Sequence, residues 1–588
     1  MSLFRSLRSS LRGEGYALVQ DSPSSSIDDP ECEDLEEKTT SVHVLPLIEG
    51  RLRRLSLYSI VATTISISTS ILVYLLPSFV TGPLKRYLSE RSKHAPQPQR
   101  VQSIRPTAYL DGLRGVAALV VYIFHYTYLW YPVLRNGYGC SEDNVLFWQL
   151  PIVRALHSGR ASVTVFFVIS GYVLTTKTLT IIYRGQHERI LDTLAGSLFR
   201  RPFRLYLPIV VATGIIATLV RYHLYRPNPT GGGIPPIANN AHDQFWHWWA
   251  TVKDVTNPFR VVTSRDHIYA NPYDGHLWTI PTEFKGSLLV FLYLLAFAKA
   301  KRWVHLLAVV VGGYWQVKNG DSDQALFCGG LFLAELALII PPESYRLPQG
   351  MSRILSVSPR GVWLFRHVVT ISLFLLGLHL FSYPEKQGPE TPGFRMLSDH
   401  VPEYYTRSVD YIQQFWISIG AIIFVVALMY SPPLRSIPNS APALPASQLP
   451  VSTPASGLDM PAAAPEEPFL QRLFTNRFAQ YLGDVSYSLY LCHDSVNHIV
   501  GMRYLRPAWH EWAATDQRAN ALEEDGLMGE AAEIRARMQG QYARAWVMGM
   551  LANTIVLFWA SDLFTRAVDA NAVKLTRKLW GWSIAKKA

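Results

Sequence analysis

The sequence predicts an all-α, polytopic transmembrane bundle of ten core spans preceded by one extra hydrophobic helix, and three observations carry that prediction. Apolar segments near the ~20 residues needed to cross a bilayer recur along the chain. Basic residues gather in alternate connections. Two ionisable residues inside the first core span, Arg114 and His125, fall on one helix face. Of 588 residues, 49% are hydrophobic, 12% are aromatic and 16 are Trp, a composition too apolar for a soluble enzyme of this size.

Residues 1–55 combine a basic start (Arg5, Arg8, Arg12), a Ser-rich stretch and an acidic run from Asp28 to Glu37. They lack the apolar core and small-residue cleavage site of a signal peptide, so a disordered tail is expected. An extra hydrophobic helix follows at 56–80. Basic residues flank it on both sides, which leaves open whether it spans or lies in the interface. The core spans are expected at 108–131, 161–183, 203–221, 282–298, 303–317, 325–341, 362–382, 413–430, 478–500 and 544–567. They form a transmembrane domain over 106–570.

Lys and Arg assign the orientation. They crowd the stretch before the core (Lys85, Arg86, Arg91, Lys93, Arg100, Arg105) and every second internal loop (Arg200, Arg201 and Arg204; Lys299, Lys301 and Arg302; Arg353, Arg360 and Arg366; Arg472 and Arg477). Residues 571–588 add a basic C-terminal tail. Both ends of the core are therefore expected in the cytoplasm, with loops near 132–160, 222–281, 383–412 and 501–543 on the other side. The formal charge of +11 is spread over these short loops, which fits topology and no nucleic-acid partner. Residues 431–468, dense in Pro, Ala and Ser, read as a cytoplasmic linker. Within the charged external insertion at 501–543, residues 514–544 read as a charged helix. Four scattered cysteines give neither a disulfide framework nor zinc spacing, and no metal is expected.

The first core span places Arg114 and His125 eleven residues apart. At ~100° per residue that is three turns plus ~20°, so both point to one face, ~16 Å apart along the axis. Ionisable groups are costly in such a span and mark function by default. Arg114 can bind an anion from the cytoplasmic side, and His125 can accept a proton deeper in the bundle. Ser170 and Gly171 in the second span allow close approach of a backbone or a thin extended ligand. Arg200, Arg201 and Arg204 open the third span and suit phosphate oxygens. The loop at 222–281 is rich in Trp and His, including His276 and Trp278. Glu283 follows at the next span, where a carboxylate can orient His125, contact the acceptor or cap the helix. The ninth span carries Ser486, Tyr487, Tyr490 and His493, too polar to face lipid.

These strings resemble the acyltransferase type 3 family of integral-membrane acyltransferases. The matching features are Leu-Asp-Gly-Leu-Arg-Gly with its Arg-to-His spacing, Phe-Phe-Val-Ile-Ser-Gly-Tyr, Arg-Arg-x-x-Arg, His-Leu-Trp followed by Glu, and Gly-Asp-Val-Ser-Tyr-Ser-Leu-Tyr-Leu-x-His. They occur in the family's order across 108–567, and the tail and insertions look like those of fungal members. The resemblance implies transfer of an acyl group, most commonly acetyl, from cytoplasmic acyl-CoA to an acceptor hydroxyl. By position, His125 corresponds to the essential histidine and Arg114 to its paired arginine. Arg200, Arg201, Arg204, Ser170 and Gly171 would hold acyl-CoA. Arg114 would stabilise the donor or the developing oxyanion. Glu283 joins the catalytic set, although Thr-Ile-Pro-Thr-Glu departs from the family's usual Ser-Leu-x-x-Glu. Trp278, His276, Asp111, Tyr487 and His493 would line the acceptor side, where a polysaccharide, a lipid-linked sugar or a metabolite all fit. The lipid bilayer is the other partner, in an endomembrane or the plasma membrane. A transporter or flippase using the same polar face is the alternative reading.

Overall fold

The computed structural model describes residues 73–82, 105–257, 270–342, 359–434 and 467–584. The unit Val101–Ala588 contains the bundle. Among the described residues there is no β-sheet, only two isolated bridges. The helix expected at 56–80 lies largely outside the described residues, of which 73–75 and 78–82 are helical. The tail at 1–55 lies wholly outside them.

The long helices are α1 (Ala108–Trp130), α2 (Gly159–Tyr183), α3 (Glu188–Arg221), α4 (Ala241–Thr256), α5 (Thr279–Ala296), α6 (Arg302–Lys318), α7 (Ser322–Ile339), α8 (Pro359–Phe381), α9 (Val409–Met429), α10 (Arg477–Val496), α11 (Met502–Glu524), α12 (Met528–Phe564) and α13 (Ala570–Ser583). Every apolar segment expected to span is helical. Among the described residues eight helices are long and apolar enough to cross a membrane, against the ten core spans expected. The two that fall short are α6, which has only 17 residues, and α10, which has 20 but carries buried Ser486, Ser488 and His493. Helix α10 tolerates those groups because α1 and α12 pack along it and give them partners rather than lipid.

The charged insertion is a helical hairpin rather than one helix. Gly526, at φ +80°, turns the chain between α11 and α12, with Gly526 and Leu527 amides returning to the Glu523 and Leu522 carbonyls. Arg535 on α12 then pairs with Asp516 at 3.2 Å and with Glu523 across the hairpin. The linker at 431–468 lies mostly outside the described residues. Its ends meet in the bridge between Pro433 and Pro468.

The bundle is organised by contacts that leave no room for a side chain. A Cβ on Gly115 of α1 would lie 2.2 Å from the amide nitrogen of Gly483 on α10, and one on Gly483 would lie 2.6 Å from the Asp111 carbonyl oxygen. The α1 and α10 backbones therefore touch, as small residues permit in membrane bundles. The same device joins α2 to α7: a Cβ on Gly171 would lie 2.4 Å from the Phe327 carbonyl oxygen, and one on Gly330 would lie 2.2 Å from that of Val168. Replacing Gly115 by Leu is expected to cost at least the ~1–3 kcal/mol of overpacking, read as an early loss of monodisperse protein on heating in detergent. Gly540, whose Cβ would meet nothing within 4 Å, is the control. Gly540→Ala should leave the melting curve unchanged or raise it slightly.

Candidate active site

Two polar clusters sit on the face of α1 that meets α10, one at each level. At the first, the Arg114 Nε donates to Ser486 Oγ at 3.1 Å. Arg114 makes no ion pair with any carboxylate among the described residues. Its electrostatic neighbours are Arg204, Asp111, Glu283 and Asp569. Arg204 is exposed and likewise has no ion-pair partner among the described residues. The twenty residues from Arg201 to Arg221 span ~30 Å of helix, which puts these arginines at one edge of an apolar core. Arg114 and Arg204 lie near one another with Asp569 close to both, and two guanidinium groups outside any ion pair can take an anion.

Arg201 is already committed. Its guanidinium pairs with Glu283 Oε1 at 2.8 Å, and its Nε donates to Ser287 Oγ at 2.5 Å. Ser170 Oγ donates to the same carboxylate oxygen at 3.1 Å. Glu283 thus holds Arg201 and Ser170, and of the roles open to it, orienting His125 is not the one its contacts show. Gly171 is occupied too. The backbone of α7 fills the space beside it, so the close approach foreseen there is taken by a helix and not by a ligand. Arg200 points away and lies over the Trp580 ring, 5.8 Å from its centroid. Tyr487 donates to the Leu205 carbonyl oxygen at 2.5 Å, tying α10 to α3.

Asp111 is misplaced as an acceptor residue. It sits fourteen residues, or ~21 Å, before His125 on α1 and pairs with Arg105 at 3.2 Å at the opposite end of the helix.

The second cluster is centred on His125. Its Nδ1 lies 3.2 Å from Nε2 of His276. The other nitrogen of His276 faces Asp274 Oδ1 at 3.1 Å, and Asp494 Oδ2 lies 3.8 Å away. Asp274 also caps the short helix Gly275–Trp278 by accepting from the His276 amide at 2.9 Å, so one carboxylate fixes both the backbone and the ring. His493 completes the group, its ring centroid 5.2 Å from that of His125 and 4.8 Å from that of His276. Tyr490 bonds to the His276 carbonyl oxygen at 2.8 Å and to Thr279 at 2.7 Å, closing the floor.

His125, His276, Asp274 and Asp494 border a cavity of about 360 Å³, which His493 does not line. Phe124, Leu129, Ile234 and Met502 give it apolar walls, while Arg135, Asp274, Asp494 and His498 give it charged ones. It is reached between the connections that follow α1, α3 and α10. A π-turn at Asn497–Gly501 places His498 there, 3.8 Å from Asp494, and such turns recur at functional sites. Trp278 is half-buried and does not border the cavity. The loop tryptophans sit on α4, where Trp248 bonds to Thr213 at 3.0 Å and Trp246 and Trp249 remain exposed.

Of the expected residues, the structure therefore groups His125, His276 and His493 at one level. It groups Arg114, Arg201, Arg204, Glu283 and Ser170 at the other. Sequence reasoning missed Asp274, Asp494 and His498. The available signal was Asp274-x-His276 and Asp494-x-x-x-His498, spacings that put each carboxylate within reach of a ring.

A family model described as an acyltransferase domain matches residues 107–516. The chain is 29% identical over 444 residues to the O-acetyltransferase PaAT-1 of Phomopsis amygdali, covering 70% of this chain and 77% of that protein. It is 26% identical to acyltransferase R4 of a Phoma species, covering 73% of this chain and 90% of that one. Acyltransferase clz18 of Cochliobolus lunatus is 26% identical, with 66% and 82% covered. No solved structure matches the chain.

The Arg201–Glu283 pair is largely buried, so removing one partner should cost more than removing both. Glu283→Gln alone is expected to lower the melting temperature in detergent. The double variant Arg201→Met/Glu283→Gln should be more stable than the sum of the two single losses predicts.

Proposed function

This chain belongs to the acyltransferase type 3 family of multi-pass membrane acyltransferases, and on that premise we propose that it moves an acetyl group from acetyl-CoA to a hydroxyl of a small acceptor. The observation that carries the reading is the placement of two unlike sites on one face of α1. A pair of guanidinium groups suited to phosphate lies at one level, and a histidine cluster beside a cavity lies at the other. Ten spans, with α6 and α10 crossing as well, would keep both ends of the core in the cytoplasm, as the loop charges favour. The donor would then enter past Arg114 and Arg204, and the acceptor from the opposite side. The transport alternative gives way to the family membership.

The ~16 Å rise between Arg114 and His125 divides their work. Arg114 is too far from His125 to meet an oxyanion formed there, so it binds the donor's phosphates while the pantetheine arm runs along the face between α1 and α10. Asp274 accepts the Nδ1 proton of His276, whose Nε2 in turn accepts the Nδ1 proton of His125. That order leaves Nε2 of His125 with its lone pair, as a carboxylate orients a catalytic base in other enzymes. His125 takes the proton of the acceptor hydroxyl as the oxygen attacks the thioester carbonyl carbon. When the carbon–sulfur bond breaks, the same proton passes to the departing thiolate, giving free CoA and an ester.

A cavity of about 360 Å³ lies at the small end of ligand sites. It suits one ring system, or the terminal unit of a longer acceptor, with an apolar side towards Phe124 and Met502 and hydroxyls towards Asp494 and His498.

Incubating purified protein with radiolabelled acetyl-CoA and candidate hydroxylated acceptors tests the reading. His125→Ala should lose about 10²–10⁴-fold in turnover while remaining monodisperse, and a variant that retains most of its activity removes His125 as the base. Arg114→Lys should raise the KM for acetyl-CoA, because an ammonium cannot reproduce the planar guanidinium fork. An unchanged KM removes Arg114 from the donor site.

A further inference from the structure

His125, His276 and His493 present ligand atoms that all lie within 4.8 Å of one another. The way each ring is held points beyond proton transfer. His276 directs Nδ1 to Asp274 at 3.1 Å, which turns Nε2 towards the other two rings. His493 directs Nδ1 to the Tyr490 carbonyl oxygen at 2.6 Å, so its proton is committed there and Nε2 carries the lone pair. That Nε2 is buried and has no hydrogen-bond partner. An unsatisfied lone pair in a buried setting is costly, and this one faces two further imidazoles. Imidazoles whose outer nitrogens are fixed by a carboxylate and a carbonyl are the usual support of a transition-metal site. The 3.2 Å between His125 Nδ1 and His276 Nε2 is close to the ~3.3 Å edge of a tetrahedron with ~2.0–2.1 Å Zn–N bonds.

We propose that His125, His276 and His493 form a binding site for a divalent transition-metal ion of the zinc type, which switches the transferase off by occupying its base. Three neutral imidazoles favour zinc over magnesium or calcium, which prefer oxygen. The fourth position would face the cavity and take water. Binding forms three metal–nitrogen bonds; the proton on His125 Nδ1 moves to its Nε2, so all three rings stay neutral, the base loses its lone pair and no oxidation state changes. The His125–His276 edge is already at its final length, and His493 Nε2 must move inward to close the other two, since the three ligand atoms now lie within 4.8 Å of one another. The inhibitory consequence rests on the reading of His125 as the base, whereas the binding site does not.

Binding is therefore measured on the full-length protein without donor or acceptor. Equilibrium dialysis against buffered Zn²⁺ followed by elemental analysis should give one tightly held ion per chain. His493→Ala and Asp274→Asn should each weaken it at least about tenfold, and both variants are checked for monodispersity. Co²⁺ in place of Zn²⁺ should give the intense visible bands of a tetrahedral nitrogen site in wild type, and these should be lost in His493→Ala. Absence of stoichiometric zinc, retention of wild-type affinity in both variants, or the weak spectrum of octahedral Co²⁺ would overturn the proposal. If zinc binds and the protein transfers acetyl groups, micromolar zinc should abolish turnover and a chelator restore it; turnover unchanged by bound zinc overturns the switch. A protein that binds zinc yet shows no transfer contradicts the functional reading and leaves the metal site standing.

Discussion

The backbones of α1 and α10 touch at Gly115 and Gly483, and the polar interior depends on that contact. Lipid offers no partners to an arginine or a histidine, so each must find one inside the protein. Bringing the two helices to backbone distance does this at both levels. It sets Arg114 against Ser486 and His125 beside His493. Any side chain at Gly115 would push the helices apart, and both clusters would lose their second wall together.

Around that axis the remaining helices divide the work. Helices α2, α3 and α5 meet at Glu283, which neutralises Arg201 and holds Ser170. That arrangement leaves Arg114 and Arg204 as the guanidinium groups free of ion pairs among the described residues of this cluster. Asp569 lies close to both but is ion-paired with neither. At the other level, Asp274 caps a short helix and orients His276 with the same carboxylate. A capping interaction of ordinary strength thereby also sets the orientation of the ring.

Much of this was legible in the sequence. The helical period alone put Arg114 and His125 on one face, and each apolar run expected as a core span falls on a helix, while α4 and α13 were not foreseen. What was not legible depends on distant partners. The role of Glu283 turned on which cation α3 would present to it, and Arg201 is 82 residues away. The fate of Gly171 turned on Gly330, a small residue that nothing nearby in sequence connects to it. Asp111 shares the motif of Arg114 but lies one turn earlier, enough to put it at the end of the bundle with Arg105. His498 reaches the cavity through the π-helical turn at Asn497–Gly501, just beyond Asp494 on α10, and periodicity does not foresee that turn. Helix α10 was expected as a span at 478–500, yet its buried Ser486, Ser488 and His493 keep it below the hydropathy of a membrane-crossing helix.

The central claim is that donor and acceptor enter at opposite ends of one α1 face and meet at His125. A structure of the protein bound to a non-transferable acetyl-CoA analogue tests it most directly. The account predicts the phosphates against Arg114 and Arg204, with the acyl carbon beside Nε2 of His125 and the 360 Å³ cavity still open to the acceptor. Phosphates bound at the far mouth beside Arg135, with the cavity filled by the donor, would contradict it.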